Sequence, residues 1–296
     1  MPPARWSRIA LLMLAGLALA TVASTSFARA ARAETDLPDD KRGYHLFHPT
    51  PAPLLRDLST DRPDITESPY TVDAGRFQLE LEVASYSEDE SSAGHAKHVG
   101  ILGVNAKVGL LPSLDLQLGA GIARRDFAGD SPGLDNETSG MTDLAVRLKW
   151  NLWGNDRGAT ALALMPFVTL PTGSDDLTSD AVEGGLIAPF GISLPAEFNM
   201  GLMAEADWIK DADGSGHHLE WLTTATLGRG LMGSLGAFVE LAAGFRPQQE
   251  GDWVGTADAG LTYGPTPNVQ LDAGVLLGLS EDADGGTFFL GLSLRR

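Results

Sequence analysis

Leu235-Gly-Ala-Phe-Val-Glu-Leu-Ala-Ala-Gly-Phe245 sets Leu235, Ala237, Val239, Leu241, Ala243 and Phe245 on one parity, and Glu240 on the other with Arg246 following in step. Successive side chains of a strand point to opposite faces, so this stretch is a strand with one unbroken apolar face and one that carries charge. The same grammar runs along most of the chain. Twelve candidate strands follow, with approximate limits 76–87, 97–110, 114–127, 141–153, 159–171, 183–194, 198–210, 217–229, 234–246, 253–264, 268–280 and 286–295. Each is roughly 10 to 14 residues long, where strands of soluble proteins run about 5 or 6 and a tilted strand crossing a bilayer needs about 9 to 11. Length therefore points to a membrane-spanning sheet.

The connections agree. Leu111-Pro112-Ser113, Gly154 to Gly158, Pro195-Ala196-Glu197, Gly230 to Gly233 and Pro265-Thr266-Pro267 are short. Between them fall longer or more acidic stretches: Glu88 onward, Ala128 to Gly140, Thr172 to Val182, Asp211 to Gly216, Pro247 to Asp252 and Glu281 to Gly285. Short periplasmic turns alternating with longer outside loops are the asymmetry of outer-membrane barrels. Aromatic residues on the apolar parity gather at both strand ends: Phe77, Trp150, Phe198 and Tyr263 beside short turns, and Trp208, Trp221, Phe245, Trp253 and Phe288 beside long loops. Two girdles suit a barrel in lipid better than a soluble core, which would place its large rings centrally. The fold expected is all-β, an up-and-down antiparallel transmembrane β-barrel of about 12 strands with an irregular N-terminal periplasmic segment.

Residues 1–33 have the layout of an export signal. Arg5 and Arg8 precede the apolar run Ile9 to Val22, and Ala28-Arg29-Ala30 and Ala31-Arg32-Ala33 offer small-x-small cleavage sites. Residues 34–75 are rich in proline (Pro38, Pro49, Pro51, Pro53, Pro63, Pro69) and lack periodicity, which fits an extended periplasmic segment, and residues 76–296 form the barrel. The formal net charge is −18, and removal of the four signal arginines makes the mature chain more negative still, a surface that repels nucleic acid. A mean hydropathy of −0.02 excludes a helical inner-membrane bundle. With no cysteine there is no disulfide framework, thiolate site or lipoprotein anchor.

Thr60 to Glu80 reads TDRPDITESPYTVDAGRFQLE, and Pro166 to Gly173 reads PFVTLPTG. Both resemble signatures of the outer-membrane β-barrel family named for the MetA pathway of phenol degradation, and the resemblance spans the barrel from the pre-strand segment onward. It implies a transporter, in a context of aromatic-compound metabolism. Chains of this type look as though they should end in an aromatic residue, whereas this one ends Leu294-Arg295-Arg296.

On the polar parity stand Glu80, Glu82, Lys107, Asp143, Arg147, Lys149, Glu205, Asp207, Glu220, Glu240, Arg246, Asp258 and Asp272, the candidate lumen lining. They could form a permeation track, a ring of opposed signs that binds polar solutes, or a salt-bridged filling. Gly103, Gly119, Gly121, Gly274 and Gly278 on the same parity leave room and favour a narrow channel. Asp61, Arg62, Asp64 and Glu67 precede the first strand and so belong at the periplasmic mouth, as a plug or gate, or as a brace that closes the barrel seam. Carboxylates dominate the predicted mouth and lumen, which favours cations over anions. His217-His218 and the pair His95 and His98 each split between faces, so no metal centre is expected. No G-x-S-x-G elbow or nucleotide-binding loop is present, so neither an enzyme nor a cofactor is expected. The function expected is passive diffusion of small molecules, aromatic ones included, across the outer membrane. The alternatives are a non-conducting structural barrel and a soluble periplasmic β protein. The partners expected are outer-membrane lipid and glycolipid, the barrel assembly machinery and a small-molecule solute.

Overall fold

A computed structural model describes residues 41–91, 94–129, 136–175, 177–211, 213–246, 253–280, 283 and 285–296. The expected export signal and the start of the proline-rich segment lie outside these residues, as do Asp176 and the side chains of His95 and His98. The strands are β1 (Phe77–Ser91), β2 (Gly94–Leu111), β3 (Leu114–Gly129), β4 (Asn136–Gly140), β5 (Leu144–Trp153), β6 (Thr160–Leu170), β7 (Glu183–Ser193), β8 (Phe198–Lys210), β9 (His217–Met232), β10 (Leu235–Phe245), β11 (Trp253–Thr266), β12 (Val269–Gly278) and β13 (Gly286–Arg295). Sequence neighbours pair antiparallel, and β1 pairs with both β2 and β13, so the sheet closes into a barrel. At the seam Phe77 N–H donates to the Arg296 carbonyl at 2.9 Å, and Arg296 N–H returns the bond at 2.8 Å.

Thirteen strands make twelve wall positions. Both β4 and β5 pair with β3 in one continuous register, through Arg124↔Gly140 and then Gly119↔Ala145, with Thr142 N–H bonded to the Gly121 carbonyl between them. They are one stave interrupted at residues 141–143, where the sequence predicts an unbroken strand from 141 to 153. Asp143 causes the break: its carboxylate accepts N–H bonds from Gly173 at 2.8 Å and Ser179 at 2.9 Å, holding the loop after β6 against the wall. Asp143 therefore works as a loop clamp and not as one of the interior charges.

The apolar parity faces outward. Phe77, Trp150, Trp208, Trp221, Val239, Leu241, Phe245, Trp253, Tyr263 and Phe288 are all exposed, Val239 by 56%. The register aligns Trp221, Phe245 and Trp253 side by side across β9, β10 and β11. At the opposite end the Arg229 guanidinium lies 4.9 Å from the Phe198 ring centre. Aromatic groups with a polar neighbour at both rims match the two interfaces of a bilayer.

The polar parity faces a packed interior. Glu80, Lys107, Asp115, Gln117, Lys149, Glu240, Asp258 and Asp272 are buried there beside Met165, Ile187, Met203, Phe238 and Phe289. The interior glycines are only in part the free space that the sequence suggests. A β-carbon on Gly274 would lie 2.4 Å from the Phe289 ring, and one on Gly260 2.5 Å from the Phe238 ring, so these glycines seat aromatic rings flat against the wall. Gly121 backs onto Thr142, whereas a β-carbon on Gly119 would meet nothing closer than 3.8 Å.

Candidate functional site

The N-terminal segment enters the barrel from the short-turn end. Its rim portion is tied down by Arg56, which donates to the Pro112 carbonyl at 2.6 Å and to Asp156 at 3.0 Å, and by Lys41, which reaches Asp156 at 2.5 Å. Burial alone would raise the Asp156 carboxyl, but the Arg56 and Lys41 bonds override it and lower it. Arg295 donates to the Arg56 carbonyl at 2.7 Å and so helps hold the segment at the rim. Ala74 bridges Gly109, and Gly75 takes a φ of +70° with Pro49 only 2.7 Å from where a β-carbon would sit, a position that glycine alone fills.

From this anchor Thr60 to Ser68 climbs into the lumen, well beyond the mouth where the sequence places Asp61, Arg62, Asp64 and Glu67. About fifteen residues separate Thr60 from Gly75, enough extended chain to rise to mid-strand and return. Asp61 sits between Lys107 on β2 and Lys149 on β5, 2.5 Å from each ammonium, and its N–H donates to Glu80 on β1 at 3.1 Å. Lys107 also pairs with Glu80. Burial would raise the Asp61 carboxyl, but the two lysine charges hold it far below the ordinary range. Arg62 donates to Asp272 on β12 at 3.0 Å, lies 3.7 Å from Glu82 on β1, and faces the Phe289 ring at 6.0 Å. The N–H groups of Ile65 and Thr66 donate to the two oxygens of Glu240 on β10 at 2.7 and 2.8 Å, and the Thr66 hydroxyl meets Glu240 and Thr224. Glu67 accepts from Arg147 on β5 at 2.7 Å.

These contacts divide the lumen in two. Lys107, Arg147 and Lys149 make one wall basic, and the segment meets them with Asp61 and Glu67. Glu240, Asp258 and Asp272 make the facing wall acidic, and there the segment presents Arg62 and two backbone donors. Asp258 pairs with Glu240 by register, and Glu205, Asp207 and Glu220 continue the acidic side upward on β8 and β9. Near the outer rim Glu220 pairs with Arg246 at 3.4 Å and with His218, which also meets Asp211 at 2.8 Å. His217 points the other way and stacks on Trp208. The charges of both signs that the sequence places in the lumen are thus sorted into two walls of opposite sign, so carboxylates do not dominate it throughout.

Sequence reasoning missed the apolar half of the site. Met165, Ile187 and Met203 form a buried cluster against which Ile65, Phe167 and Leu222 pack. A sequence signal existed, since Met165, Phe167, Ile187 and Met203 interrupt the polar parity. It also missed the part played by backbone N–H groups, which leave no mark in a sequence.

Asp64 makes docking depend on pH. Burial first, then the charge of Glu240, push its carboxyl up to about 7 from an ordinary value of 3.8. A carboxyl raised in the docked state takes up a proton on docking, so its contribution is complete below pH 3.8 and is lost as pH rises through about 7. Asp61, held low, stays charged across this window. Cleavage after Glu67 by a glutamate-specific protease, scaled to its rate on a peptide of the same sequence, should therefore quicken between pH 5 and 7.5, and Asp64→Asn should weaken that rise, leaving the part due to Glu67, whose carboxyl burial pushes up to about 8. A flat profile in the unaltered protein would remove Asp64 from this role.

The family model described as "Putative MetA-pathway of phenol degradation" matches residues 60–295. Among solved structures, the COG4313 outer membrane channel from Pseudomonas putida F1 is 16% identical, with a TM-score of 0.61 over 80% of this chain and 99% of that one. The NanC porin is 10% identical, with a TM-score of 0.47 over 73% and 98%. No curated protein matches the sequence. The first likeness is one of fold, that of an outer-membrane barrel.

Proposed function

The chain belongs to this MetA-pathway family, and from that premise we propose that it is a passive outer-membrane channel for small molecules, aromatic compounds among them, gated by its own residues 60–68. On this reading residues 1–33 direct export, the barrel assembly machinery inserts the strands, and lipid and glycolipid surround the outward face. Solutes move by diffusion, without energy coupling.

The observation that carries the reading is the segment's mode of attachment. Asp61, Arg62, Ile65, Thr66 and Glu67 are held by charges and hydrogen bonds to β1, β2, β5, β9, β10 and β12, with no covalent tie, so the obstruction can be withdrawn. Aromatic solutes suit a lumen lined by Phe167, Phe238 and Phe289, because rings gain from offset or edge contacts with rings. The same buried ion pairs favour a second reading, a permanently filled structural barrel.

Planar bilayers and liposomes separate the two. The full chain should give small, infrequent conductance steps, and Arg62→Ala, which frees the segment from Asp272, should make them larger and more frequent. Liposomes containing the variant should admit benzyl alcohol faster than protein-free liposomes. If neither protein exceeds the protein-free membrane in conductance or flux, the structural barrel is the correct reading.

A further inference from the structure

We propose that the wall patch formed by Arg147, Met165, Phe167, Ile187, Met203 and Leu222, which Ile65 and Glu67 now occupy, is a binding subsite for a small apolar carboxylate. The proposal rests on the gated-channel reading and names the class of solute that the channel would select.

The patch combines two recognition elements at close quarters. Arg147 on β5 and Phe167 on β6 are register partners, which sets a guanidinium beside the ring that borders the Met165, Ile187 and Met203 cluster. Directly opposed residues of an antiparallel pair have β-carbons about 4.5 to 5.5 Å apart. A ligand reaching from the cluster to the guanidinium therefore needs an apolar body the size of a ring or branched chain, with a carboxylate attached. Ile65 and Glu67 supply those two groups from the segment.

The segment fills this patch incompletely. An arginine fork offers a carboxylate two parallel bonds, yet Arg147 gives Glu67 only its Nη1. Arg147 Nε and Glu67 Oε2 are both buried without a hydrogen-bond partner. The nearest further cation to Glu67 Oε2, Lys149, stands 3.7 Å away and is already engaged by Asp61. Tethering explains the mismatch: Glu67 N–H is held 3.3 Å from the Met203 sulfur, and the backbone of Ile65 and Thr66 is pinned to Glu240, so the Glu67 carboxylate cannot turn to meet the fork squarely. A free carboxylate has no such tether and can take both bonds.

Withdrawal of residues 61–67 also uncovers positive charge on the basic wall. There it leaves Arg147 without Glu67, and Lys149 to its register partner Asp115. Glu205 and Asp207 stand on β8, with β6 and β7 between it and β5, and Glu205 is the register partner of Ile187 and Leu222 in the patch, but the ion pair that Arg147 makes among the described residues runs to Glu67.

The test uses the folded full chain in detergent, titrated calorimetrically with benzoate, benzyl alcohol and benzylammonium. Glu67→Gln removes the tethered carboxylate and should raise benzoate affinity about ten-fold over the unaltered chain, with benzyl alcohol unchanged and benzylammonium weaker than both. Adding Arg147→Gln should abolish the benzoate gain. If Glu67→Gln fails to show the heat-dependent gel migration of a folded barrel, Ile65→Ala, which vacates the apolar half, serves in its place. Equal binding of the three probes, or preference for benzylammonium, overturns the subsite. Liposome flux keeps the two claims separate: flux of benzyl alcohol without benzoate preference defeats the subsite and leaves the channel standing. Benzoate preference without flux of any probe does the reverse.

Discussion

Asp61→Ala should destabilise the folded barrel by about 3 to 5 kcal/mol, because it removes a carboxylate shared by two buried ammonium groups. Lys107 and Lys149 have side chains only 2% and 1% exposed, and Asp61 lies 2.5 Å from both. Glu80 remains for Lys107, and Glu67 at 3.7 Å and the buried register partner Asp115 remain for Lys149, but neither replaces the direct contact that Asp61 makes. The Asp61 carboxyl is held low by these same lysines, so its charge contributes to stability above the ordinary carboxylate range and is lost only in strong acid. Asp61→Asn, which keeps the shape and removes the charge, should lose most of the same stability. Urea unfolding from liposomes measures both variants, and a change within about 0.5 kcal/mol would show that the lysines find other partners or water. The released segment should also become open to a glutamate-specific protease at Glu67 at every pH.

Val239→Arg should cost about 2 to 4 kcal/mol, the penalty of an arginine near the middle of the lipid face of an outer-membrane barrel. Val239 lies mid-strand in β10, 56% exposed on the outward parity, while its neighbour Glu240 points inward to the segment. The paired control is Ala145→Arg, on the inward parity of β5 opposite Gly119, where an added β-carbon would meet nothing closer than 3.8 Å. There a new guanidinium meets an interior already built for charge. Equal losses in the two variants would mean that the faces are assigned wrongly, since only the outward one meets hydrocarbon.

Most of the wall was legible because it follows from one periodicity. β8 spans Phe198–Lys210 and β13 ends at Arg295, where the alternation of side chains places them, and the outward parity of Val239 and Trp150 follows from the same alternation. The break at residues 141–143 was not legible, because it depends on the Asp143 carboxylate meeting the N–H groups of Gly173 and Ser179 from a distant loop. The inward charges could be named, and Arg62 could be matched to carboxylates of β1, of which it reaches Glu82 at 3.7 Å, but its closer partner Asp272 could not. Nothing in the spacing of Arg62 and Asp272, or of Ile65 and Glu240, joins residues separated by most of the chain. Nor does alternation reveal how far a proline-rich segment climbs, since extended chain without periodicity has the same composition at the rim and at mid-lumen.

The segment's long-range grip also bears on how the barrel finds its register. Alternation forbids a strand slip of one residue, which would turn charges toward lipid, but a slip of two residues leaves every side chain on its proper face. Such a slip moves each inward group by about 7 Å along the strand. Arg62 and Asp272 are 210 residues apart in sequence, Ile65 and Glu240 175, and Arg295 and Arg56 239, yet all are in hydrogen-bond contact. A slip of two in β10 or β12 would carry Glu240 or Asp272 out of reach of the segment while leaving the sheet itself intact. The N-terminal residues thus act as a gauge held inside the closing sheet: a barrel assembled in the wrong register cannot accept them, and contacts of such sequence separation reward only the last stages of closure.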